Sequence, residues 1–159
     1  NRAIKADYLT FNEDGTIQKV IPTVRGVGNC PATNRVQIDR YSAMSDEGAA
    51  VEYLNSENTF EGWKTLLTAQ DAWIQYNRVD FGDKKLDTVD VKAASQGGGA
   101  IDIRIDKIDG PLVAHVEIPE DTDWDVVSSK LSEAPSGLHD LYVILKGTSA
   151  VEVDWVQFK

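Results

Sequence analysis

The 159-residue sequence is poor in cysteine, in histidine and in basic charge. Its one cysteine, Cys30, rules out an intrachain disulfide and a zinc site built on cysteines, and leaves the redox compartment open. Lys and Arg number 16 against 26 Asp and Glu, a net charge of -10. That balance lacks the basic footprint of a nucleic-acid binder and repels an anionic membrane, so neither is expected as a partner; a neutral or cation-bearing one fits better. No apolar run reaches the roughly 18 residues of a membrane span, and no signal-peptide pattern is present. The first residue is Asn1 rather than Met, so the sequence is expected to be a processed product or a piece of something longer.

Groups suited to catalysis are also scarce. Only His115 and His139 offer imidazole bases, and no G-x-S-x-G nucleophile elbow occurs. The glycine run at 97–99 is followed by neither Lys nor a helix start, so it reads as a hairpin turn and not a phosphate cradle. Glycoside hydrolysis needs two carboxylates held roughly 5 to 10 Å apart. In a chain with runs such as Glu120, Asp121 and Asp123, a pair at that distance arises by chance, and such runs are usually solvated. A non-catalytic role is expected.

What the sequence does contain is a period of two. After residue 34, apolar and polar side chains alternate in segments 35–42, 49–54, 61–66, 72–81, 85–94, 100–106, 111–118, 124–131, 138–145 and 151–158, separated by turn clusters such as GDKK, SQGGG and KIDG. No window carries a helical face. The spacing predicts an all-β, two-sheet antiparallel sandwich within about the length of one domain. In 100–106, Ile101, Ile103 and Ile105 share one face. In 151–158, Val151, Val153 and Trp155 share one face, with Glu152, Asp154 and Val156 on the other. By the same phasing Trp73 and Trp155 are assigned to the core, and Tyr76 and Tyr142 to core or rim. Residues 1–28 differ: a hairpin about NEDG leads into a Pro- and Gly-punctuated linker. A lone hairpin is marginal, so it is expected to lean on the sandwich or to be the end of a neighbouring domain.

Three segments carry a specific resemblance: RVQIDRYSAMS, AQDAWIQYNRVDFG, and the ending GLHDLYVILKG followed by VEVDWVQF. In this order and at these distances they resemble a family 6 carbohydrate-binding module over residues 35–159. Residues 1–28 resemble the C-terminal end of a family 43 glycoside hydrolase catalytic domain, which makes 29–159 the module and 1–28 the tail of what precedes it. The resemblance implies a jelly-roll-like sandwich, a structural calcium ion and a sugar cleft formed by loops at one edge. It also implies a role in targeting an attached arabinofuranosidase- or xylosidase-like hemicellulase to xylan or another β-glycan, in an extracellular or periplasmic setting.

Carried over residue by residue, the calcium positions fall on Gln37, Asp39 and Asp154. Calcium takes six to eight oxygens, and Gln in place of an acid keeps an oxygen while removing a charge. On spacing alone these are equally solvated polar positions at strand edges. In the sugar cleft, stacking aromatics and hydrogen-bonding groups are required. Trp124 matches one aromatic, but Leu67 stands where the family has Tyr or Trp, and Thr148 and Ser149 stand where it has Asn. Three accounts remain open: Trp63 supplies the missing face, a second cleft on the sheet's concave surface binds instead, or the module has lost sugar affinity and serves its neighbour as a structural, docking domain.

Overall fold

The computed structural model describes residues 5–159. Among them are twelve strands: β1 Cys30–Pro31, β2 Val36–Gln37, β3 Ala43–Met44, β4 Ala49–Tyr53, β5 Trp63–Leu67, β6 Trp73–Asp80, β7 Thr88–Ser95, β8 Gly99–Ile105, β9 Leu112–Ile118, β10 Asp121–Lys130, β11 Leu138–Lys146 and β12 Val151–Phe158. A single 3-10 turn, Thr59–Glu61, precedes β5. The first sheet runs β1-β6-β11-β8-β9 with β3 also on β6; the second runs β10-β7-β12-β5-β4 with β2 also on β12. All pairings are antiparallel except the two-residue β1–β6 contact, which is parallel. The expected all-β sandwich is the observed architecture.

The core lies between the sheets, where alternation delivers one side of each strand: Ile101, Ile103 and Ile105 of β8 meet Leu141, Val143 and Leu145 of β11 and, across the gap, Val89, Val91 and Ala93 of β7. Phe158 closes one end, its ring edge-on to Phe81 at 4.9 Å. Leu67 is fully enclosed in this core, so the position carried over as a sugar contact has no face toward solvent.

Three expectations change. The segment 35–42 is not one strand. It pairs with the second sheet at β2, crosses the edge of the sandwich through Ile38, whose side chain enters the core, and joins the first sheet at β3. Arg40 N–H donates to the Gln37 carbonyl at 3.1 Å and closes the turn. Gln37 and Asp39 therefore do not share a strand face.

In β12 the ladder with β7 skips from Val153 to Trp155, leaving Asp154 as an extra residue. Such a bulge reverses the inside–outside phase beyond it. Val156 and Phe158 enter the core between the sheets, and Trp155, though buried as expected, lies on the outer face of its sheet beneath the Arg35 guanidinium, 4.6 Å from its ring centroid. In β6 the inward residues are Ile74, Tyr76 and Val79; Trp73 stands outside, half-buried.

The N-terminal segment forms a turn at Asn12–Gly15 with a single bridge, Phe11 to Ile17. It is tied to the first sheet by Arg25, which covers the Tyr76 ring at 4.5 Å, and by Arg78, which covers Tyr8 at 5.1 Å; within the segment the Gly28 amide donates to the Tyr8 hydroxyl at 2.8 Å. Its apolar side chains nevertheless face solvent, among them Leu9, Phe11, Ile17 and Ile21.

Because Leu67 is enclosed, Leu67→Ala is expected to destabilise the fold by about 2–5 kcal/mol in urea denaturation; a loss under about 1 kcal/mol would place that side chain outside the core.

Candidate functional site

Sugar recognition demands an accessible flat aromatic with polar groups around it. The structure offers three places to look.

The first is a cleft of about 480 Å³ at the loop end of the second sheet, lined by Leu66 and Thr68 at the end of β5, Ala94 to Gly97 at the β7–β8 turn, Asp121 of β10, and Ser149, Ala150 and Glu152 at the entry to β12. The turn is brought against β12 by close packing: a Cβ on Gly99 would sit 2.9 Å from Val151, and the Ser95 hydroxyl is 2.6 Å from the Ala150 carbonyl. Ser149 reaches the cleft, while Thr148 is exposed beside it and does not line it. No aromatic lines it. Trp124 lies farther along the same outer face, its ring 5.7 Å from Lys92 Nζ.

Trp63 is elsewhere. It pairs with Tyr53 at the free end of β5 and shares its phase with Thr65 and Leu67, whereas Trp124 stands on the opposite surface. The structure does not bring Trp63 and Trp124 together, so Trp63 cannot supply the second wall of a cleft built on Trp124.

The third place is the outer face of the first sheet. Trp73 and Tyr142 stand side by side there, ring centroids 5.7 Å apart and tilted by 53°. Beside them Gln75 donates to Asp140 at 3.1 Å. Across β11 the face continues through Arg104 and Asp102, joined at 3.1 Å, to His115 of β9, whose Nδ1 lies 2.7 Å from Asp102 and Nε2 3.0 Å from Glu117. Asp102 and then Glu117 raise the His115 pKa by hydrogen bonding, which outweighs the opposing effect of burial. Burial raises the Tyr142 pKa, with Asp140 and Asp106 adding to it. Assigning Trp73 to the core missed this face. The signal was in the phase of β6: Trp73 alternates with Gln75 and Asn77, while Ile74 and Tyr76 take the other side.

The oxygen donors carried over for calcium lie at the strand-crossing edge. Gln37 is register partner to Trp155, and the Ile38 amide donates to the Asp154 carbonyl at 3.4 Å, which sets Asp39 near Asp154. Asp39 is nearly buried and its carboxylate has no ion-pair partner among the described residues. Burial pushes its pKa up, Arg40 opposes this, and Asp154 adds a further push. One Asp154 oxygen is already 3.0 Å from Lys92 Nζ. Two carboxylates and an amide at one edge, one of them buried without a cation, suit a hard, oxygen-seeking ion. Among the described residues no three His, Cys, Asp or Glu side chains gather as a preformed cluster, so main-chain oxygens and Gln37 would have to complete a shell.

Two antiparallel sheets packed face to face, with aromatic rings on their outer faces, define a β-sandwich. The chain belongs to the carbohydrate binding module family 6, whose model matches residues 40–159. It is 25% identical over 163 residues to an arabinoxylan arabinofuranohydrolase of Paenibacillus polymyxa, an alignment covering 94% of this chain and 24% of that protein. The chain thus spans about a quarter of that relative's length. The family 6 module of Clostridium cellulolyticum in complex with xylose superposes with a TM-score of 0.70 at 28% identity, covering 81% of this chain and 98% of that one. The CsCBM6-3 module of Clostridium stercorarium, in complex with cellobiose, superposes at 0.72 with 21% identity, covering 83% and 97%.

Since its folded pKa is raised, protonated His115 adds stability that is complete below the ordinary histidine value of 6.5 and is lost as pH rises through the folded midpoint. The His115 ring protons are expected to titrate by NMR with a midpoint above 6.5, and His115→Gln should flatten the melting-temperature profile between pH 6 and 8. A midpoint at or below 6.5 contradicts the Asp102–His115–Glu117 array.

Proposed function

We propose that this chain is a non-catalytic module that holds a neutral β-glycan of the plant cell wall, such as xylan, and targets an attached hemicellulase to it. The observation that carries the reading is the Trp73–Tyr142 pair on the outer face of the first sheet, with Gln75, Asp140 and Arg104 beside it. A pyranose ring laid on such rings gains dispersion and CH–π contact, and the neighbouring amide, carboxylate and guanidinium bond its hydroxyls. A net charge of -10 is no obstacle to a neutral polymer. The loop-end cleft, lined by Ser149 and polar backbone without an aromatic, is the weaker of the two surfaces.

The attached enzyme is inferred from the N-terminal segment. Leu9, Phe11, Ile17 and Ile21 present apolar surface to solvent within a segment strapped to the sandwich, which suits the end of a preceding catalytic domain packed against them. Relatives of this chain that are arabinoxylan arabinofuranohydrolases support the same reading. A cell-wall polysaccharide as ligand is consistent with an extracellular or periplasmic setting. A calcium ion held by Gln37, Asp39 and Asp154 would cross-link β2 to β12. A second reading, a docking domain that stabilises its neighbour without holding sugar, draws on the same exposed segment and on the aromatic-free cleft.

Affinity electrophoresis in gels containing xylan, arabinoxylan, cellulose derivatives or β-1,3-glucan tests the first reading. Retardation by at least one polymer, lost in Trp73→Ala and kept in Leu66→Ala at the loop-end cleft, is expected; absence of retardation in all four leaves the docking reading. Added calcium is expected to raise the melting temperature, and Asp39→Asn to remove that rise. An identical melt with calcium and with chelator would eliminate the ion.

A further inference from the structure

The aromatic pair at the free end of β5 has no place in the proposed sugar face. Trp63 stacks on Tyr53 with centroids 4.0 Å apart and planes 28° from parallel. One indole face is thereby used and the ring is held in one orientation, yet 43% of the residue remains exposed. It borders a cleft of about 470 Å³ whose other walls are Val51 of β4, Asp39, Arg40 and Tyr41 of the crossing segment, and Val24 of the N-terminal segment. Arg40 is exposed, and Tyr41 half-buried.

We propose that this cleft is a second glycan site, in which a pyranose ring stacks on the free face of Trp63 and its hydroxyls bond Arg40 and the Tyr41 hydroxyl. The N-terminal hairpin exposes Leu9, Phe11, Ile17 and Ile21 beside the equally exposed Glu13, Asp14 and Lys19. The Trp63 cleft is concave, has one flat aromatic, and sets a guanidinium, a phenol and a carboxylate around it, which is the lining of a site for a polar ligand with apolar faces. Tyr53 contributes indirectly: by stacking behind the indole it removes rotamer freedom that sugar binding would otherwise have to restrict. The site lies at the β4 edge of the second sheet, whereas Trp73 stands on the outer face of the first. Two sites on separate surfaces let one module hold two glycan strands, and on a polymeric wall such pairing multiplies weak affinities by about 10² or more.

The proposal rests on the glycan-binding reading, and the test keeps the two apart. Xylohexaose and cellohexaose are titrated by calorimetry into the full chain, into Trp73→Ala, and into Trp73→Ala combined with either Trp63→Ala or Arg40→Ala, with the Trp63 indole N–H followed by NMR. Expected is residual one-to-one binding of at least one hexaose in Trp73→Ala, a shift of the Trp63 indole resonance, and loss of both in either double variant. Arg40→Ala, on an exposed side chain, guards against a Trp63 variant that fails to fold. Binding by the wild type that vanishes altogether in Trp73→Ala overturns the second site and leaves the first intact. Residual binding that survives both double variants places it elsewhere and also overturns the proposal. No binding by the wild type overturns both sites.

Discussion

The extra residue in β12 is the constraint on which the rest of the structure depends. That strand is hydrogen-bonded to β7 on one edge and to β5 and β2 on the other, so its phase sets which side chains of the second sheet meet the core. Asp154 reverses that phase midway. Before it, Val151 and Val153 fill the core; after it, Val156 and Phe158 do. Trp155 is displaced to the outer face of the sheet, where it is buried under Arg35, and the Asp154 carboxylate is placed among Lys92, Asp39 and the start of β2. A regular strand would have put Trp155 inside and Phe158 out, and the Phe81–Phe158 contact at one end of the core would be lost.

The same arrangement decides where chemistry is available. A sandwich spends one side of every strand on its core and leaves two outer faces, two edges and the loops. In this chain the residues lining the loop-end cleft, among them Leu66, Thr68 and Ser149, include no aromatic among the described residues. The flat rings stand instead on an outer face and at an edge. Electrostatics follow the same division. Most carboxylates are on the surface, and three of the nearly buried ones have specific cationic partners: Asp102 has Arg104 and His115, Asp90 has Lys159 with a hydrogen bond donated by the Ser128 hydroxyl, and Asp154 has Lys92. Asp39 lacks such a partner among the described residues.

Much of this was legible in the amino-acid order. The period-two alternation located ten segments, of which nine became strands with shifted ends, and the HDLY, KG and DW landmarks pointed to the family. The tenth, 35–42, alternates well but breaks because its ends belong to different sheets, and alternation says nothing about which sheet a residue joins. Leu67 was reached through the family pattern, as the residue standing where the family has Tyr or Trp. That pattern did not reveal that a leucine there turns inward between the sheets, where a ligand cannot reach it.

By itself, the sequence determined the fold class and the family, and it excluded a disulfide framework, because these rest on local alternation, composition and the spacing of a few residue types. Only the tertiary structure decided which side of each strand is inside, since a single bulge at Asp154 inverts the parity of all that follows it. It also decided that Trp73 is a surface residue and Leu67 a core one, and that Trp63 and Trp124 stand on opposite surfaces of one sheet. Those facts depend on pairing between residues far apart in the chain, such as Gln157 with Thr33, 124 positions away, and pairing at that range leaves no periodic trace in the chain.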